Sequence, residues 1–107
     1  FNTAVDLSDE TGLVLHSGTI FTSDIFYEPD DGLNARMIQD GILCVEMETA
    51  ALYAIAQVEK KQALSLVTIS DHLTRGTHLS PEERQSTLDE MISFSLKVAS
   101  KEAEAIG

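Results

Sequence analysis

Three groups of residues have the types and spacings to do chemistry. Glu46 and Glu48 stand two apart in the otherwise apolar run ILCVEMETAALYA at 42–54. Asp71 follows Ser70 at the end of a second apolar run, ALSLVTIS, and Arg84 falls on the first turn of the segment SPEERQ. A carboxylate held without an ionic partner accepts hydrogen bonds, for example from sugar hydroxyls. An aspartate whose burial raises its pKa becomes a general acid, and a nearby cation favours its ionised form. Each has a plainer reading: the two glutamates charge a helix start for about 0.3–1 kcal/mol each, Asp71 is a cap or turn residue, and Arg84 pairs on the surface with Glu83 or Asp89.

The elements that must position these residues alternate in type. Residues 1–11 are polar and read as a connection or a surface helix turn. GLVLHSGTIF at 12–21 reads as a strand, interrupted at Ser17-Gly18 by a bulge or a close backbone approach, and 22–32 as a loop dense in turn formers. Leu33–Gln39 is a short helix stopped near Asp40-Gly41, and 42–47 is a strand. From Thr49 to Lys61 the spacing of Ala51, Leu52, Ile55 and Val58 predicts a helix lying close against a sheet. ALSLVTI at 63–69 reads as a strand covered on both faces, and 71–80 as a polar loop. Ser80-Pro81-Glu82-Glu83 announces a last helix by a capping box, with Leu88, Met91, Ile92, Leu96 and Ala99 as its expected buried stripe.

This is the alternation of an α/β fold with parallel strands, in which ligands gather at the carboxyl ends of the strands. Glu46, Glu48 and Asp71 all fall at such ends. If 42–48 is extended throughout, Glu46 and Glu48 point one way, and Val45 and Met47 the other. Phe26 and Tyr27 are either loop anchors or a stacking wall for a flat ligand.

Composition excludes several classes. Eighteen acidic against seven basic residues give a net charge of −11, which argues against nucleic-acid or anionic-membrane binding through basic clusters. The single Cys44 reads as a small buried hydrophobe and fits a reducing, cytoplasmic setting. No apolar run approaches the ~20 residues that span a bilayer. His16, His72 and His78 lack a metal-ligand spacing, so no metal is expected. With 107 residues, one domain is the ceiling, and a Phe at position 1 suggests a start within a longer sequence.

The segments GTIFTSDIFY (18–27), GILCVEMETAA (41–51), VTISDH (67–72) and PEERQSTLDEM (81–91), in this order and spacing, resemble the carboxy-terminal half of bacterial hexameric-type purine nucleoside phosphorylases, within the wider nucleoside phosphorylase and nucleosidase superfamily. The resemblance implies that 1–107 is the carboxy-terminal portion of one three-layer α/β/α domain with a mixed, largely parallel sheet. It implies reversible phosphorolysis of purine nucleosides or deoxynucleosides, with inorganic phosphate as co-substrate and no other cofactor. On that likeness Phe26 packs on the purine or sugar, Val45 and Met47 contact base and ribose, Glu46 lies beside the ribose, and Glu48 accepts from its 2′- and 3′-hydroxyls. Ser70 supports the base pocket, Asp71 protonates N7 of the leaving purine, and Arg84 assists that transfer.

Family members hold phosphate with residues of the amino-terminal half and of a neighbouring subunit. A homo-oligomer, a hexamer on the family pattern, or an amino-terminal half is therefore the expected partner. Two alternatives stay open: a methylthioadenosine-type nucleosidase that uses water, and a catalytically silent truncated subunit.

Overall fold

The computed structural model describes residues 1–27, 29–30, 32–73 and 75–106. Glu28 and Asp31 of the expected 22–32 loop, and Thr74 of the expected 71–80 loop, lie outside the described residues. The chain divides into a central unit, Ser17–Ser65, and a terminal unit made of Phe1–His16 and the residues from Leu66 onward.

In the central unit, strands β1 (Ile20–Thr22) and β2 (Cys44–Glu46) pair in parallel, with Ile20 opposite Cys44, Phe21 opposite Val45 and Thr22 opposite Glu46. Parallel strands need a crossover, and helix α2 (Leu33–Gln39) lies in it. Its end is a Schellman turn: Gly41 takes φ +74°, Gly41 N–H donates to Ile38 O and Ile42 N–H to Met37 O. The expected strand at 12–21 contracts to β1, because pairing begins only where the partner strand runs alongside. Gly18 marks a close approach, since a Cβ there would stand 2.7 Å from Leu43 Cδ1.

Helix α3 follows β2 at Thr49–Val58 and stops three residues short of the expected Lys61. There Lys60 adopts a left-handed φ of 55°, and Lys60 N–H and Lys61 N–H donate to Gln57 O and Ala56 O. Its expected packing stripe is open: Leu52, Ile55 and Val58 are exposed, and Thr49 is the residue of α3 that is buried.

In the terminal unit, residues 2–11 form a true helix, α1 (Asn2–Thr11), rather than a connection. Ala4 and Leu7 supply a short apolar stripe, and Gly12 at φ +75° ends it. The expected strand at 63–69, whose first three residues belong to the central unit, carries no ladder partner among the described residues; a strand without a neighbour has nowhere to send its amides, and within the central unit Ser65 N–H instead donates to the Tyr53 hydroxyl at 3.0 Å. Within the expected polar loop, β3 (Asp71–His72) and β4 (Thr77–His78) form a small antiparallel ladder.

Helix α4 (Pro81–Ile106) starts with the expected capping box: Glu83 N–H donates to Ser80 Oγ at 3.1 Å, and Ser80 N–H to Glu83 Oε1 at 3.1 Å. Hydrogen bonding to the carboxyl by the Ser80 N–H, and then by the Ser80 side chain, holds Glu83 below its usual range, with a smaller contribution from the His78 imidazole. The buried stripe differs in phase from the expected one. α1 packs on α4, and in α4 Phe94 and Val98 are buried and Met91 is half-buried, whereas Leu88, Ile92, Leu96 and Ala99 are exposed. No described helix is long and apolar enough to cross a membrane.

Candidate functional site

The first cluster lies at the elbow between β2 and α3. β2 ends at Glu46, so strand alternation does not carry through to Glu48; Met47 and Glu48 bend into the helix, and Glu48 is its N-cap residue at φ −128°, ψ −23°. Glu46 folds its side chain over the helix start. Its Oε2 accepts from the backbone N–H groups of Glu48 and Thr49, both at 2.7 Å, while Oε1 accepts from the Thr22 hydroxyl. The Thr22 hydroxyl in turn accepts from Ala50 N–H at 3.1 Å. Three amides that a helix start leaves unpaired are thus held by two side chains from the ends of two paired strands.

Desolvation pushes the Glu46 carboxyl upward, but the hydrogen bonds from Thr22, Glu48 N–H and Thr49 outweigh it and lower its pKa from 4.5 to about 2. Glu46 is therefore an ionised cap. The Glu48 carboxylate points elsewhere in its bonding: it makes no side-chain hydrogen bond or ion pair among the described residues and is exposed. Val45 and Met47 beside it are 37% and 39% exposed. Upstream, burial and then the Glu46 charge raise the Cys44 thiol pKa, which keeps this half-buried sulfur protonated.

The loop leaving β1 is fastened to the same elbow. Ser23 N–H donates to Glu46 O at 2.8 Å, and the buried Ser23 side chain bonds Ile25 N–H and O at 3.1 and 3.0 Å. Beyond it Phe26 and Tyr27 meet edge to face, with ring centroids 4.9 Å apart, and both are exposed.

The second cluster belongs to the terminal unit. Arg84 Nη2 donates to Asp71 Oδ1 at 3.4 Å, and Ser70 Oγ donates to Asp71 Oδ2 at 2.9 Å. The arginine thus reaches back to Asp71, while Asp89 accepts from Gln85 instead. Both side chains of the ion pair are about half exposed, at 52% and 53%. The capping box sets Arg84 at the start of α4, and Leu79 N–H donating to Ser70 O at 2.8 Å ties the helix approach to the residue before Asp71. Among the described residues no three His, Cys, Asp or Glu side chains converge as a metal site would require.

A sequence profile of the Phosphorylase superfamily matches residues 2–105. The chain belongs to the phosphorylase superfamily. Among curated relatives of this superfamily member, the DeoD-type purine nucleoside phosphorylase of Myxococcus xanthus is 44% identical over 99 residues, which is 92% of this chain and 41% of the relative. The enzyme of the same name from Geobacillus sp. (strain WCH70) is 46% identical over 91% of this chain and 41% of its own length. That of Hahella chejuensis is 45% identical over 78% and 36%. The chain spans about two-fifths of the length of the relatives it matches. Sequence reasoning missed Thr22 and Thr49 as members of the elbow; the signal for Thr22 was its place at the end of β1, level in register with Glu46.

Proposed function

We propose that this chain supplies the nucleoside-reading and base-protonating parts of a purine nucleoside phosphorylase. The observation that carries the reading is the Ser70–Asp71–Arg84 arrangement, an open carboxylate with a hydroxyl on one oxygen and a guanidinium on the other, in a chain whose relatives bear that name. In phosphorolysis a phosphate oxygen bonds to C1′ of the sugar as the bond from C1′ to N9 of the purine breaks, giving free base and (deoxy)ribose 1-phosphate. The purine leaves with the bonding pair. With the long, half-exposed Arg84 contact opened, Asp71 takes up a proton from solvent and delivers it to N7, which neutralises the departing anion; Arg84 then returns to stabilise the carboxylate left behind.

Glu48 is the acceptor for the 2′- and 3′-hydroxyls, which its unengaged carboxylate supports, and Glu46 lies beside the sugar as the group that shapes the elbow. Val45, Met47 and Phe26 offer apolar surface to ribose and base, and Ser70 steadies the base end. Phosphate is held by residues outside this chain, from the remaining part of the fold or from another subunit of a cytoplasmic homo-oligomer.

The test is purine release from inosine and adenosine by the full-length polypeptide, with and without phosphate, with the sugar product identified. Phosphate-dependent release yielding ribose 1-phosphate is the expected result. Release of free ribose without phosphate would instead establish a nucleosidase, and no release with any purine nucleoside would overturn the reading.

A further inference from the structure

We propose that Thr22 is a positioning residue: its hydroxyl locks Glu46 against the first turn of α3 and thereby sets the place of the Glu48 carboxylate. The inference rests on the reading of Glu48 as the sugar acceptor and adds to it a residue with no assigned part. β1 and β2 are only three residues long, and the pair Thr22 opposite Glu46 is the last of their register. At that point the Thr22 hydroxyl does two things at once, donating to Glu46 Oε1 and accepting from Ala50 N–H. Glu46 Oε2 meanwhile takes Glu48 N–H and Thr49 N–H.

The consequence for Glu48 is geometric. Its main chain is held on the amide side by Glu46 and its successors are held by Glu46 and Thr22, while its own side chain makes no hydrogen bond or ion pair among the described residues. Everything that aims the Glu48 carboxylate therefore lies in the backbone at 48–50. Removing the hydroxyl deprives Ala50 N–H of its acceptor and frees one oxygen of Glu46, so the carboxylate can rotate off the two amides. A displacement of an orienting group on the scale of an ångström is enough to weaken substrate alignment substantially.

The experiment compares inosine with 2′,3′-dideoxyinosine, which lacks the hydroxyls that Glu48 reads, as substrates of the full-length polypeptide. Thr22→Val should raise KM for inosine about tenfold and leave KM for the dideoxy substrate within about twofold. Thr22→Ser, which keeps the hydroxyl, should restore the inosine value. Thr22→Ala makes the same comparison if the valine variant does not fold. A readout independent of turnover is the Glu46 carboxyl carbon resonance, whose titration should move up from about 2 towards the ordinary 4.5 in Thr22→Val.

Equal changes for both substrates, or none, in a Thr22 variant would overturn the inference provided that Glu48→Gln still loses the preference for inosine. If Glu48→Gln keeps that preference, the sugar reading itself fails, and the positioning role falls with it.

Discussion

The elbow at Glu46 and the ion pair at Asp71 are built on opposite principles. At the elbow, one carboxylate and one hydroxyl engage three backbone amides, and the carboxyl pKa is held at about 2. At Asp71 the partners are side chains, half exposed, and the guanidinium contact is long at 3.4 Å. A network anchored in backbone fixes position, whereas an exposed ion pair contributes only about 0–1 kcal/mol and is easily rearranged. A sugar-reading carboxylate gains from the first arrangement. A group that must give up a proton and then be stabilised as an anion gains from the second, because its partner can move during the reaction.

The contrast can be broken from either side. The largest effect should come from Asp71→Asn, which removes the acid and should slow purine release from inosine by about 10²- to 10⁴-fold, measured as kcat. Arg84→Ala should slow it by about tenfold, with unfolding free energy changed by no more than about 1 kcal/mol, measured by denaturant titration. A loss of several kcal/mol there would mean that the ion pair holds the fold. Ser80→Ala strips the cap from α4 and should cost about 1 kcal/mol of stability while raising the solvent exchange of the Glu83 amide.

The smallest effect is the response of the elbow to acid. The pKa of Glu46 is lowered on folding, so its contribution to stability is complete above the ordinary 4.5 and is lost as pH falls towards about 2. The amide resonances of Glu48 and Thr49 should shift with a midpoint near 2; a midpoint near 4.5 would mean that the clamp is not formed.

Local signals were legible in the sequence, and signals that depend on a distant partner were not. The capping box at Ser80, the left-handed Gly41 and the close approach at Gly18 each follow from the residue and its immediate neighbours. The helix after β2 and the parallel character of the first strands followed from periodicity and order. By contrast, α4 carries apolar residues on two adjoining faces, of which Phe94 and Val98 are covered and Leu88 and Leu96 are not, and the helix's own periodicity does not choose between them. The run at 63–69 has the composition of a buried strand, but a ladder needs a second strand, and composition does not supply one.

The site divides in the same way. Placement of Glu48 just past the end of β2 was legible, whereas Asp71 opens β3 instead of following the carboxyl end of a strand at 63–69; that Arg84 acts with Asp71 came from the family likeness, and the guanidinium does contact Asp71. The bonding of Glu46 was not, because it depends on the register that sets Thr22 opposite it. By strand alternation alone, two acids two residues apart looked equivalent. The fold separates them, spending one on the helix start and leaving the other open.

The most direct test of the central claim uses a substrate that needs no proton. A nucleoside methylated at N7 already carries the positive charge that Asp71 is held to supply, so the full-length Asp71→Asn variant should cleave 7-methylinosine within about tenfold of the unaltered protein while losing about 10²-fold or more on inosine. Equal losses on both substrates would contradict the assignment of Asp71 as the acid.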